Sequence, residues 1–160
     1  MIDIRAARPD DAELIVSFIR ALAKYEKLLH EVKIDAAGVA AALFVERPRA
    51  FCEIAEQGGA PVGFAFWFYS YSTFEGTFGI YLEDIFVVPE ARGTGAGIAL
   101  MRRLARRCRD EGLSRLEWAV LDWNALAIGF YDRLGASAKT EWITRQLAGE
   151  ALVALALSAG

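Results

Sequence analysis

Two adjacent carboxylates, Glu83 and Asp84, stand inside an otherwise apolar run, Ile80 to Val88, that reads as a β-strand. Side chains alternate along a strand, so Leu82, Asp84, Phe86 and Val88 are expected on one face and Tyr81, Glu83, Ile85 and Val87 on the other. Burying either carboxylate without a partner would cost several kcal/mol. Each must therefore meet an arginine of the fold or a cation from outside, and a cationic amine substrate is the sharper of these two explanations.

Directly after this strand comes Arg92-Gly93-Thr94-Gly95-Ala96-Gly97, followed by apolar residues at helical spacing. Closely spaced glycines before a helix expose backbone N–H groups, and the helix dipole adds roughly half a positive charge, so the loop suits an anion. A nucleoside-triphosphate loop needs Lys and then Ser or Thr after its last glycine, whereas Ile98 and Ala99 follow Gly97. A dinucleotide loop would have a small residue where Ile98 stands, although Glu117 lies at the distance expected of a ribose ligand. With Arg92 in front adding positive charge, a pyrophosphate fits best.

The elements around these residues can be read from pattern. Ile2 to Ala6 is a short strand, and Asp10-x-x-Glu13 has the form of a capping box for a helix running to about Leu29. A second, Ala-rich helix is expected near Asp35 to Val45. Phe51 to Glu56 and Val62 to Tyr69 flank a glycine turn as a hairpin, and Ser70 to Gly79 reads as an aromatic loop. The glycine loop opens a helix from about Gly95 to Glu111, closed by Gly112. Arg115 to Leu121 is the next strand. Asn124 can cap a helix through Leu134, with Gly135 closing it, and strand material is expected near Trp142 to Leu147 and Leu152 to Leu157. On the helix begun by Asn124, Tyr131 lies on the same face as the cap.

At 160 residues, with 55% hydrophobic and 24% charged side chains and no linker or repeat, the chain reads as a single domain spanning 1–160. A net charge of −3 argues against nucleic acid as a partner, and cationic small molecules suit it better. No apolar run is long enough for a membrane span, which points to a cytoplasmic location. Cys52 and Cys108 lack the spacing of a metal or disulfide site, and Cys108 has the periodicity of a core residue. Arg102, Arg103, Arg106, Arg107 and Arg109 read as a solvated helix face, with some reach toward a phosphate.

Arg92, Gly95 and Gly97 match the Gln/Arg-x-x-Gly-x-Gly/Ala loop that holds acetyl-coenzyme A in the GNAT superfamily of N-acetyltransferases. The order of elements from about Ile4 to Leu147 is also similar to that fold's. The segments "LAKYEKL", "YLEDIFVVPEARGTGAG" and "AVLDWNALAIGFYDRLGA" resemble the diamine and thialysine branch, which includes spermidine/spermine N-acetyltransferases. Ser72-Thr73, where polyamine-type members have Asp-Pro, and "LDWN" are more similar to the thialysine type.

The resemblance implies an α/β (α+β) fold: a mixed, mostly antiparallel twisted sheet flanked by helices, with the cofactor between splayed central strands. It implies acetyl-CoA as co-substrate, no metal, a small amine as acceptor, and a homodimer. Ile85, Phe86 and Val87 would offer backbone groups to the cofactor. Arg92, Gly93, Thr94, Gly95, Ala96 and Gly97 would hold its pyrophosphate, and Asn124, Ala125, Leu126 and Tyr131 would contact it further along. Tyr25, Glu26, Glu83 and Asp84 correspond to substrate contacts.

An alkylamine with pKa near 10.4 is only about one part in 10³ neutral at pH 7, so transfer needs a proton acceptor. Glu83 is expected to take that proton, directly or through a water. Tyr131 is implied as the donor to the departing thiolate. Full transfer from a tyrosine near pKa 10 to a thiolate near 8.5 would be uphill by about 2 kcal/mol, which favours a strengthening hydrogen bond over early proton transfer. A non-catalytic acyl-CoA sensor would be expected to have lost this acid and base, yet Glu83 and Tyr131 are both present.

Overall fold

The computed structural model describes residues 1–158. Its backbone contacts divide into two compact units, Met1–Leu121 and Asp122–Gly160. The sheet, its covering helices and the glycine loop belong to the first.

That unit carries one sheet in the order β1 (Ile2–Ala6), β2 (Phe51–Gln57), β3 (Ala60–Ser72), β4 (Thr77–Val87) and β5 (Leu116–Glu117). The first three pairings are antiparallel and β4 with β5 is parallel. Cross-strand register assigns the faces. Ile54 opposes Phe64, and Phe64 opposes Phe86, placing these on the face where α1 (Ala12–Tyr25) and α2 (Ala36–Leu43) supply Ile15, Val16, Phe18, Val39 and Leu43. The opposite face presents Glu53, Ala65, Trp67 and Leu82 to α3 (Ala96–Glu111), whose Leu100, Leu104 and Cys108 are buried.

Several expected boundaries move, each for a local reason. The capping box expected of Asp10 and Glu13 does not form: Asp11 accepts the Arg8 N–H at 2.7 Å and both terminal nitrogens of Arg5, and the helix begins after it. Helix α1 stops at Tyr25, not Leu29, because Lys27 adopts the left-handed conformation (φ 62°). Leu28 N–H then reaches the Ala23 carbonyl at 2.8 Å and Lys27 N–H the Lys24 carbonyl, which is the hydrogen-bond pattern of a Schellman stop.

The aromatic segment expected as a loop is strand instead. Tyr71 opposes Phe78 across the hairpin with ring centroids 4.8 Å apart, a contact that extends both strands and confines the turn to residues 73–76. Strand β5 is far shorter than Arg115 to Leu121. The strands expected near Trp142 to Leu147 and Leu152 to Leu157 do not form; the latter lies in α5 (Gly149–Leu157), where Ala, Leu and Glu favour a helix, and residues 142–148 adopt no regular structure.

In the second unit α4 (Ala125–Arg133) begins at Asn124, whose side-chain oxygen accepts the Ala127 N–H at 3.2 Å, and Gly135 follows the helix at φ 81°. No helix among the described residues is long and apolar enough to cross a membrane.

Candidate active site

Strand β4 carries one irregularity, and it falls on the carboxylates. Phe66 opposes Asp84 while the next residue of β3, Trp67, opposes Leu82, so Glu83 is the additional residue of a β-bulge. This corrects the regular alternation expected from sequence. Asp84 does share a face with Phe86, toward α1, but Leu82 lies on the α3 face with Trp67. A one-residue insertion reverses the sense of the pleat, which a hydrophobic pattern alone does not reveal.

Past the bulge, β4 has a strand partner on one side only among the described residues. Strand β5 pairs with Ile80 and Tyr81 and goes no further, so Leu82 to Val87 are opposed by β3 but not by β5. The stretch Ile85 to Val87 therefore offers backbone groups along an open edge, and it leads straight to the glycine loop.

Asp84 is largely buried and has no hydrogen bond or ion pair among the described residues. Desolvation, and then the charges of Glu83 and Glu26, push its carboxyl up to about 6. Glu26, at the end of α1, is likewise raised by burial. Glu83 is exposed. Among the described residues the arginine pairing that could have neutralised Glu83 and Asp84 does not form, and three carboxylates from β4 and α1 act on one another in charge with no ion pair to a cation of the fold.

The loop is built as an open cradle. Gly93 (φ 81°) and Gly95 (φ 98°) are both left-handed, and a Cβ placed on Gly93 would meet nothing within 4 Å. Gly95 precedes α3, whose first intrahelical bond from this end is Ala99 N–H to the Gly95 carbonyl at 2.9 Å. The N–H groups of Ala96, Gly97 and Ile98 thus have no acceptor within the helix. Thr94 turns its hydroxyl back to the Ala91 carbonyl at 2.7 Å, stabilising the turn. Arg92 does not extend past the loop: its Nε donates to the Val87 carbonyl at 3.2 Å, and its guanidinium lies 5.1 Å from the Tyr25 ring centroid and 5.9 Å from that of Phe86. Tyr25, Phe86, Val87 and Arg92 are thereby brought together.

The other expected residues lie in the second unit. Asn124 is buried, at 8% exposure, and serves as a helix cap; Leu126 is exposed, and Tyr131 is partly buried beside Phe130, with ring centroids 5.3 Å apart. The arginines of α3 need a correction as well. Arg102, Arg106 and Arg109 are exposed as expected, but Arg103 and Arg107 pair with Glu53, a buried β2 residue that the sequence reading did not single out. A charged residue at an inward position of an apolar strand was the signal available.

A mixed sheet whose β4 is bulged, left open along one edge and followed by a glycine-cradled helix N-terminus is the fold of an acyl-coenzyme A-dependent acetyltransferase. The acetyltransferase (GNAT) family model matches residues 15–136, and the chain belongs to that family. It is an acetyltransferase that uses acetyl-CoA as co-substrate. The chain is similar to thialysine N-epsilon-acetyltransferases of Bos taurus (42% identity, covering 96% of each chain) and Caenorhabditis elegans (35% identity, 94% of each). Among solved structures it is similar to an integron cassette protein from the mobile metagenome of V. cholerae, with a TM-score of 0.80, 25% identity and 98% of each chain covered.

Proposed function

We propose that this protein acetylates the side-chain primary amine of a lysine-like amino acid such as thialysine, with Glu83 as proton acceptor and Tyr131 as proton donor. The observation that carries this reading is the carboxylate set Glu83, Asp84 and Glu26 around the β4 bulge, without an ion pair among the described residues. Such a set attracts an ammonium group, which supplies the counter-charge that these carboxylates lack. The name carried by the animal relatives supports the same substrate class.

The chain's residues would act in sequence. Asp84 and Glu26 draw in the cationic substrate, with Tyr25 forming a wall at the end of α1. Glu83, exposed at the bulge, accepts a proton from the ammonium directly or through a water, leaving a neutral nucleophile. Acetyl-CoA, when bound, supplies the thioester carbonyl that the amine attacks and a thiolate leaving group. The open N–H groups of Ala96, Gly97 and Ile98, the left-handed Gly93 and Gly95, and Thr94 suit its pyrophosphate, while the edge Ile85 to Val87 offers backbone partners to its pantetheine arm. Asn124, Ala125 and Leu126 would contact it further along, and the Tyr131 hydroxyl would hydrogen-bond the sulfur as charge develops there.

The catalytic domain in this reading takes in the whole chain, since the family match spans residues of both units. The enzyme is further proposed to work in the cytoplasm as a homodimer without nucleic-acid partners; sedimentation equilibrium of the purified chain decides the dimer. Release of free thiol from acetyl-CoA across thialysine, lysine, putrescine, spermidine and spermine tests the substrate. The reading expects the highest kcat/KM with thialysine or lysine. A polyamine turned over faster than either would overturn it, and release stimulated by none of these amines would exclude the class.

A further inference from the structure

Helix α3 carries the glycine loop at its N-terminal end, so whatever fixes α3 on the sheet also fixes the loop. The buried stripe of that helix, Ala96, Leu100, Leu104 and Cys108, recurs every four residues. A stripe of similar apolar side chains is nearly degenerate toward a shift of one turn, about 5.4 Å along the axis.

The adjoining ridge is not degenerate. Arg103, Arg107 and Glu111 are also four apart, and each meets a different feature of the sheet. Arg103 Nε donates to Glu53 Oε2 at 3.4 Å, and an Arg107 terminal nitrogen lies 3.8 Å from Glu53 Oε1. Arg107 also lies over the Trp67 ring, 5.0 Å from its centroid, and donates to Glu111 at 2.8 Å. At the far end the Tyr69 hydroxyl donates to Glu111 at 2.6 Å. Glu53 is only 2% exposed, and among the described residues its ion pairs come from α3 alone.

Stability does not account for this arrangement, because well-packed apolar residues commonly replace a buried ion cluster without loss. Close packing does not fix the ridge either: a cavity of about 120 Å³ borders Glu53, Trp67 and Arg107. Charge does discriminate. A slip of one turn in one direction sets Glu111 against buried Glu53, carboxylate on carboxylate. In the other direction Ala99 takes the place of Arg103, and Glu53 is left with a single arginine.

We propose that Glu53 is a positioning residue for the coenzyme loop, fixing the axial register of α3 through Arg103 and Arg107 and so the placing of Gly93 to Ile98 beside the open edge of β4. This rests on the reading of that loop as the coenzyme site.

The test measures coenzyme A binding by calorimetry, alongside steady-state kinetics and melting temperature. For Glu53→Gln the dissociation constant of coenzyme A and the KM for acetyl-CoA are expected to rise about five- to twentyfold, with kcat at saturating acetyl-CoA and the amine KM changed less than about twofold. A second variant combines Glu53→Leu, Arg103→Met and Arg107→Met. It is expected to recover the wild-type melting temperature while keeping the weakened coenzyme binding. A merely structural role predicts that binding recovers together with stability, and that result overturns the proposal, as does Glu53→Gln binding coenzyme A like wild type. Should either variant fail to fold, Arg103→Gln, altered at a half-exposed side chain, decides by the same measurement: weaker coenzyme binding supports the proposal and unchanged binding overturns it. The loop reading fails separately, if Gly95→Val binds coenzyme A as tightly as wild type.

Discussion

The guanidinium of Arg92 lies over the ring of Tyr25, 5.1 Å from its centroid. This contact joins the residue that opens the glycine loop to the last residue of α1, so the proposed coenzyme and amine regions share a wall. A cation–π contact at such a partly exposed place contributes about 0.5–1 kcal/mol. A double-mutant cycle of Tyr25→Leu with Arg92→Gln, read in urea unfolding, should return a coupling of about that size. Independent effects that simply add would show that the two side chains are neighbours without interaction.

Removing the proposed acid and base should lower turnover by different routes. Glu83→Gln is expected to reduce kcat about 10²-fold at pH 7, with the deficit shrinking toward pH 10 as the free amine becomes abundant. Tyr131→Phe should reduce kcat by a similar factor of about 10² without that recovery. Full pH–rate profiles of both variants provide the check; a Glu83→Gln deficit that is constant with pH would remove Glu83 from proton acceptance.

Much of this site was legible because its signals are local. The spacing of Arg92, Gly95 and Gly97, the cap at Asn124 and the adjacent acids of β4 can each be read within a few residues, and the glycine loop and the Asn124 cap form where expected. What was hidden depends on pairing between distant segments. The bulge at Glu83 exists only relative to Phe66 and Trp67, and the partnership of Glu53 with Arg103 spans 50 residues. The stop at Lys27 was hidden for a different reason, since a left-handed non-glycine residue carries no compositional mark.

Gly95 occupies a conformation (φ 98°, ψ 0°) that L side chains rarely adopt. Gly95→Ala should therefore cost about 1 kcal/mol of stability by urea unfolding, from backbone strain alone, as a Cβ there has only Ile98 in ordinary contact. If the loop receives the pyrophosphate, coenzyme A binding should weaken more than stability does, by at least about tenfold, or 1.4 kcal/mol. Equal binding with reduced stability would assign Gly95 to helix initiation only.

Asp84 yields the last prediction, and its sign follows from the direction of the shift. Its carboxyl titrates at about 6, above the ordinary 3.8, so the folded protein holds that proton more tightly than the unfolded chain. The stability this contributes is full below pH 4 and is lost as pH rises through 6. Asp84→Asn should accordingly unfold later than wild type at pH 7 to 8, and the two should converge near pH 4. Two pKa units correspond to about 3 kcal/mol, an upper bound for a side chain that keeps some solvent contact. The same raised carboxyl makes amine binding proton-linked: a cationic substrate beside Asp84 lowers its pKa, so binding near pH 6 should release protons. Calorimetric titration of thialysine in two buffers of different ionisation enthalpy measures that release directly. Proton-neutral binding at pH 6 would mean that the ammonium does not sit against Asp84, and the substrate would have to be placed on Glu83 and Glu26 alone.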